Sequence, residues 1–192
     1  ALLANLAACD FGYLTVGGLL QRTQDAFATM QRLERHRGHF YNWYETRTLR
    51  PLLPLYVSSV DSGNLAGHLL TLGSGLRELA DESTFTPQLF AGLRDTVSVL
   101  GTLANGHAAL VELEAELAQA PSGLRASYRL LTRAAVQAES LLTALSGEGE
   151  ELKDWAQTLK RNCEEHLSEL LYLAPWLALP VLSCDGRLEE KL

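Results

Sequence analysis

Apolar side chains recur every three or four residues along most of the chain, which is the spacing of one face of an α-helix. The pattern predicts about seven helices joined by short turns, and no alternating strand pattern persists. The fourth helix should begin at Thr86 and Pro87, an N-cap residue followed by proline at the first helical position. The stripe of the third predicted helix consists of Leu65, Leu69, Leu72, Leu76 and Leu79.

Consecutive helices with short links pack against each other in opposite directions, so the sequence predicts an all-α chain of antiparallel helical hairpins. Two architectures fit: a bundle, or an arc of hairpins belonging to an α/α toroid. No repeat of fixed period is evident, which disfavours a regular solenoid. The helical period fades near the C-terminus, and residues 171–192 are predicted to be an irregular segment.

One long stretch, from His39 to Ser62, lacks a helical period and contains Pro51, Pro54 and many aromatic and hydroxyl side chains. Long loops inside helical domains are usually functional. Flat aromatic rings stack on the apolar faces of sugars, while neighbouring amide and charged groups bind the hydroxyls. Residues 38–64 are therefore predicted to be a functional loop that binds carbohydrate. The alternative is an aromatic plug that is buried and pins the loop.

Asp61 is the carboxylate of most interest, because it opens a helix with a strong apolar stripe. It could cap that helix or face a ligand, and the two roles are compatible. Glycoside chemistry normally needs two carboxyl groups, and the loop offers Glu45 and Asp61. Nothing in the sequence indicates that they meet.

Composition narrows the choice of partners. The net charge of -7 and the absence of a basic cluster argue against nucleic acid. Cys9, Cys163 and Cys184 are odd in number and lack metal-ligand spacing, which predicts buried reduced thiols and no metal site. No nucleotide or other cofactor motif appears. The most apolar stretch, 170–182, is short for a membrane span and contains Pro175 and Pro180, so the chain is predicted to be soluble.

The loop carries a family resemblance. The residues from Leu33 to Leu49, together with those from Tyr56 to His68, resemble the middle region of bacterial cyclic beta-1,2-glucan synthases, and the likeness covers about the first 80 residues. That family consists of very large inner-membrane enzymes that build a beta-1,2-glucan from UDP-glucose and cyclise it by transglycosylation. The resemblance implies that residues 1–192 form a single partial helical domain on the cytoplasmic side, similar to half of an (α/α)6 toroid.

The resemblance also implies roles for particular residues. Ser58 to Asp61 match a Ser-Thr-Ile-Asp motif of related glucanases, which makes Asp61 a catalytic candidate in a supporting role. Glu45 stands where the family usually has Asp, and Leu55 where it usually has Arg. The catalytic glutamates are expected in a later segment, so the fragment should be inactive alone. The implied glucan-contact residues are Tyr41, Asn42, Trp43, Tyr44, Glu45, Arg47, Ser58 and Asn64.

Three hypotheses follow for the chain. The first is a part of the cyclisation region of such a synthase, with beta-1,2-glucan and the remainder of the parent polypeptide as partners. The second is a helical interaction module with no ligand site. The third is a free-standing small enzyme, which is disfavoured because only one motif carboxylate is well placed. Apolar surface left by missing helices would make self-association of the fragment plausible.

Overall fold

The computed structural model describes residues 1–119, 121–145 and 147–180. Within these ranges the chain is all-α apart from one short hairpin, and the prediction of about seven helices is confirmed. Cys184 and residues 181–192 of the predicted irregular segment lie outside the described residues. The elements in order are α1 Leu2–Asp10, α2 Val16–Arg32, β1 Arg35–His36, β2 His39–Phe40, α3 Ser59–Asp81, α4 Pro87–Leu103, α5 Ala108–Leu117, α6 Leu124–Leu145 and α7 Glu150–Leu173, followed by a 3-10 turn at Pro175–Ala178.

Two features differ from the sequence prediction. The helix after the loop begins at Ser59, so the irregular stretch ends at Ser58, four residues before Ser62. The β1–β2 hairpin was not predicted, because two residues per strand are too few to produce an alternating pattern. The hairpin is determined by its turn and not by a strand pattern. Arg37 and Gly38 both have positive φ, 52° and 90°, as a two-residue type I′ connection requires.

The chain divides into two compact units. Unit 1 comprises Ala1–Cys9 and Val16–Thr84, and unit 2 comprises Asp10–Thr15 and the chain from Phe85 onward. Unit 1 therefore contains most of α1, all of α2 and α3, and the whole predicted functional loop. In unit 1, α1 approaches α3 closely, since a Cβ added at Gly75 would meet Leu6 Cδ2 at 2.6 Å. Leu72 is the one member of the predicted α3 stripe that is fully buried.

Unit 2 has a continuous apolar core supplied by α4, α5, α6 and α7. The apolar stripe of α4, which consists of Phe90, Leu93, Val97 and Leu100, is buried throughout, because α4 packs against α5 and α7. The longest helices, α6 and α7, pack along each other and are joined by a short connection, which makes them an antiparallel pair. Core residues with essentially no solvent exposure include Leu93, Leu100, Leu113, Leu131, Leu159 and Leu170.

A short segment, Asp10–Thr15, docks its backbone onto α4. Gly12 has φ +76°, and a Cβ there would lie 2.1 Å from the Gln88 carbonyl oxygen. A Cβ at Gly92 would in turn lie 2.5 Å from the Gly12 carbonyl group. Two glycines are thus required where the two backbones meet. The segment is also tied by side chains, since Tyr13 Oη donates to Asp95 Oδ2 over 3.0 Å.

The same glycine supplies a hydrogen-bond acceptor to α7. His166 is buried, and its Nε2 lies 3.1 Å from the Gly12 carbonyl oxygen. Because a carbonyl only accepts, Nε2 carries the proton and donates. Nδ1 is buried and has no hydrogen-bond partner. Burial lowers the pKa of His166 to about 4, although the bond to Gly12 acts in the opposite direction.

Across the part of the chain that the structure describes, none of the helices is both long enough and apolar enough to cross a membrane. Cys163 on α7 is a buried thiol, as predicted, and burial raises its pKa to about 12. Cys9, at the end of α1, is only partly buried.

Candidate functional site

Asn42 lies at the centre of the hydrogen bonds that hold the loop together. Its backbone N–H donates to the Tyr56 carbonyl over 2.9 Å. Its side-chain oxygen accepts from the Ser58 N–H at 3.0 Å, and its side-chain nitrogen donates to Asp61 Oδ2 at 2.8 Å. One residue near the start of the loop is therefore bonded to three residues at its end, up to 19 positions away.

The start of α3 places Asp61. Ser58 is the N-cap residue, with extended backbone, and its Oγ accepts from the Asp61 N–H at 3.1 Å. The capping role considered for Asp61 therefore belongs to Ser58. Asp61 is in the first helical turn, where the positive end of the helix dipole favours a carboxylate. It is solvent-exposed, so the carboxylate is held in direction yet open to a ligand.

Trp43 and Tyr56 form an exposed pair of rings. Their centroids are 6.0 Å apart and their planes are inclined by 25°, which is a stacked arrangement. Trp43 is 51% exposed and Tyr56 is 53% exposed. The pair flanks the Asn42 bonds, since Trp43 follows Asn42 in the chain and the Tyr56 carbonyl accepts the Asn42 N–H. The aromatic plug hypothesis does not hold for this part of the loop.

Tyr41 and Tyr44 have a structural role instead. The Tyr44 hydroxyl donates to the Glu34 carbonyl at 2.7 Å and accepts from the Tyr41 N–H at 2.8 Å. The two rings meet edge to face with centroids 6.3 Å apart. Both side chains are partly buried. Tyr44 therefore fastens the loop to the backbone just before β1, and its hydroxyl is already used on both sides.

Glu45 organises a tight turn. Its carboxylate accepts from the Thr48 N–H at 2.6 Å and the Arg47 N–H at 3.1 Å. A hydrogen bond from the Thr48 side chain, followed by these backbone bonds, lowers the pKa of Glu45. Arg47 Nε also lies 3.8 Å from Glu45 Oε1, but the Arg47 side chain is almost fully exposed. The carboxylate of Glu45 is thus occupied within its own turn.

Of the nine predicted site residues, Asn42, Ser58 and Asp61 are directly hydrogen-bonded to one another. Asn64 is exposed one helical turn beyond Asp61, on the same side of α3. Tyr56 was not among the predicted site residues. Its signal was available, since it is an aromatic residue two positions before Ser58 in an otherwise aliphatic, proline-rich run.

His39 and Ser62 were also not predicted as a pair. His39 Nδ1 lies 3.1 Å from Ser62 Oγ, and that hydroxyl donates to the Ser58 carbonyl. Because the hydroxyl proton is already used, His39 must be the donor, which excludes it as a general base toward Ser62 in this arrangement. Within the described residues, no group of three His, Cys, Asp or Glu side chains could hold a metal ion.

Comparison with known proteins shows which proteins part of this chain resembles. No protein-family model matches the chain. The chain is nevertheless similar to part of a bacterial cyclic beta-1,2-glucan synthase, which confirms the predicted resemblance to that family. The similar protein is the cyclic beta-(1,2)-glucan synthase NdvB of Rhizobium meliloti (strain 1021), 42% identical over 100 residues. The match covers 52% of this chain but 4% of that relative.

Proposed function

We propose that this chain is part of the glucan-processing region of a cyclic beta-1,2-glucan synthase, and that residues 38–64 contact the glucan during transglycosylation and cyclisation. The observation that carries the proposal is the exposed, stacked pair of Trp43 and Tyr56 beside the bonded Asn42 and Asp61. The name of the similar protein supplies the substrate class. Beta-1,2-glucan is therefore the proposed ligand.

The arrangement has the two kinds of group that a sugar site needs. Trp43 and Tyr56 offer half-exposed rings for the apolar C–H faces of glucose units. Asp61 offers a carboxylate, which when ionised only accepts hydrogen bonds and therefore suits sugar hydroxyls. One of its oxygens, Oδ2, accepts from Asn42, and Oδ1 has no hydrogen-bond partner among the described residues. Asn64 could donate to or accept from a hydroxyl one turn further along α3.

Asp61 is proposed to support catalysis, without being the acid or the nucleophile. Glycoside transfer needs a second carboxyl group close to the first. Glu45 is a poor candidate for it, because hydrogen bonds within its own turn hold its carboxylate. We propose that the catalytic glutamates come from another part of the parent polypeptide, and that the present chain alone is inactive.

The parent enzyme would lie in the bacterial inner membrane, with this region on the cytoplasmic side as part of a toroidal helical domain. The remainder of the polypeptide would be its main partner. The exposed leucines of the loop, of which Leu53 is the most exposed at 85%, would account for self-association of the fragment.

The first experiment measures glucan binding by the 192-residue chain. Linear beta-1,2-gluco-oligosaccharides are titrated up to millimolar concentration while the indole N–H signals of the three tryptophans are followed by NMR. We expect the Trp43 signal to shift, and Trp43→Ala or Tyr56→Ala to weaken binding at least tenfold. Trp176→Ala removes an equally exposed indole from unit 2 and is the matched control. A Trp43 signal that does not move at saturating sugar would refute glucan contact by this loop.

The second experiment examines Asp61 in the parent synthase. Asp61→Asn keeps the size of the side chain but removes its charge, so we expect the distribution of cyclic and linear glucan products to change. Asp25→Asn, an exposed carboxylate on α2, is the matched control. Identical product distributions for the wild type and Asp61→Asn would contradict the role given to Asp61.

A helical interaction module is the alternative. It predicts that Trp43 and Tyr44 are fully buried and that Asp61 only caps its helix. Trp43 is half-exposed, Tyr44 is partly buried, and Ser58 provides the cap. The alternative therefore has less support than glucan contact.

A further inference from the structure

The geometry points to Asn42 as a positioning residue for Asp61, acting through the N-terminal turn of α3 and not through contact with the ligand. The role of Asp61 toward glucan rests on the proposed function above. The positioning itself concerns contacts within the chain, so it can be tested without a ligand.

The start of α3 contains half of a capping box. In a complete box, the N-cap side chain accepts from the N–H three residues later, and the carboxylate of that later residue accepts from the N-cap N–H. Ser58 and Asp61 make the first of these bonds, at 3.1 Å. The return bond between them is replaced, because the Ser58 N–H donates to Asn42 Oδ1 instead.

Asn42 completes the box as an inserted bridge. Its oxygen takes the Ser58 N–H that the carboxylate would otherwise accept, and its nitrogen donates to Asp61 Oδ2 at 2.8 Å. A primary amide suits this place because it has a donor and an acceptor on one rigid plane. An aspartate is one methylene shorter than the glutamate usual in such boxes, so an intervening amide extends its reach.

The bridge decides which oxygen of Asp61 remains for a ligand. Oδ2 is held by Asn42, so Oδ1 is the oxygen that remains for a ligand. The backbone N–H of Asn42 is bonded to the carbonyl of Tyr56, whose ring stacks on Trp43. Asn42 therefore fixes the carboxylate and the ring pair relative to each other. This positioning uses one N–H of the amide nitrogen and one lone pair of the amide oxygen.

The test exchanges the side chains of Asn42 and Asp61, first one at a time and then together. Asn42→Asp places a second carboxylate where the amide donated to Asp61, so the hydrogen bond is replaced by repulsion between like charges. We expect the melting temperature at pH 7 to fall by about 3 °C or more, and the deficit to shrink below about pH 4, where carboxyl groups take up protons. Asn64→Asp adds the same charge one turn away and should lower the melting temperature by less than about 1 °C.

The double variant Asn42→Asp with Asp61→Asn restores a donor opposite an acceptor. The new aspartate still accepts from the Ser58 N–H, and the new asparagine donates to it. We expect the melting temperature to return to within about 1 °C of the wild type. A double variant that loses as much as the two single variants together, or an Asn42→Asp deficit that does not change with pH, would overturn the assignment.

Glucan binding by the exchanged variant separates the two proposals. The exchange repairs the fold but moves the charge from position 61 to position 42, so binding of beta-1,2-gluco-oligosaccharide should remain at least tenfold weaker than in the wild type. If the exchange restored both stability and binding, Asn42 would be a contact residue and the positioning role would be wrong. If the wild type bound no glucan, the proposed function would fail while the stability results would still decide the role of Asn42.

Discussion

The buried histidine of α7 gives the most quantitative prediction. His166 is 3% exposed and donates through Nε2 to the Gly12 carbonyl, while its Nδ1 has no partner. Protonation would place a cation in a site without a carboxylate or carbonyl to receive the second N–H. His166→Gln keeps an N–H donor at about the position of Nε2, removes the titrating ring and so isolates the effect of protonation.

The direction in which stability changes with pH follows from the direction of the pKa shift of His166. Desolvation lowers the pKa of His166 in the folded chain to about 4, so between that value and 6.5 the unfolded chain binds more protons than the folded one. The free energy of unfolding contributed by this group is therefore fully present above pH 6.5 and is lost as the pH falls toward 4. The lowering from 6.5 to about 4 corresponds to a loss of about 3 kcal/mol.

Urea unfolding followed by far-UV circular dichroism at pH 4, 5, 6 and 7 measures this loss. Other titrating groups are shared by the wild type and the variant, so their contributions cancel when the two free energies of unfolding are subtracted. We expect the wild type to lose about 3 kcal/mol more than His166→Gln between pH 7 and pH 4. His107→Gln replaces an exposed histidine of the same unit and should unfold with the pH dependence of the wild type.

Equal pH dependence in the wild type and His166→Gln would refute this reasoning. It would mean that the folded chain accommodates the imidazolium, for example by turning the ring toward water.

Three further predictions follow from local contacts. Gly92→Ala should destabilise the chain by about 1–3 kcal/mol in thermal unfolding, because its Cβ would meet backbone at 2.5 Å. Gly101→Ala on the same helix has open space around the new Cβ and should stabilise the chain by about 0.5–1 kcal/mol. A Gly92→Ala variant as stable as the wild type would contradict the close approach. Ser58→Ala should cost about 0.5–2 kcal/mol through the lost N-cap, and an equal cost for Ser59→Ala would argue against a specific cap. Cys163 should react with a thiol reagent at pH 8 only as fast as the chain opens, since burial raises its pKa to about 12; rapid labelling without urea would disprove the burial.

The helices were predictable from the sequence because their signal is local and repeated. In α4, Phe90, Leu93, Val97 and Leu100 recur at helical spacing, and all four are buried. The docking of Gly12 on Gly92 could not be predicted in the same way. Glycine leaves no apolar signature, and the contact joins positions 80 residues apart, so only the folded backbone reveals why both side chains must be absent.

The loop of residues 38–64 was predictable as an irregular, aromatic-rich region, but the arrangement of its side chains was not. Its aromatic residues form one run in the sequence, yet they differ in the structure. The Tyr44 hydroxyl is hydrogen-bonded to the Glu34 carbonyl, whereas Trp43 is exposed and stacks on Tyr56. The difference depends on where each ring points after the hairpin turn. The Asn42 bridge likewise depends on bringing together two ends of a loop, and hydrogen-bond partners at that separation have no fixed spacing in a sequence.

The six residues Asp10–Thr15 have a consequence for any attempt to separate the protein into modules. They belong to unit 2, while the chain on both sides of them belongs to unit 1. A contiguous piece that starts at Phe85 would therefore lack the carbonyl that His166 uses and the backbone that lies against Gly92. Expression of the second unit by itself would need this hexapeptide added in trans or joined by circular permutation. Insertions in the α1–α2 connection would first disturb α4 and α7, the helices that contact Gly12.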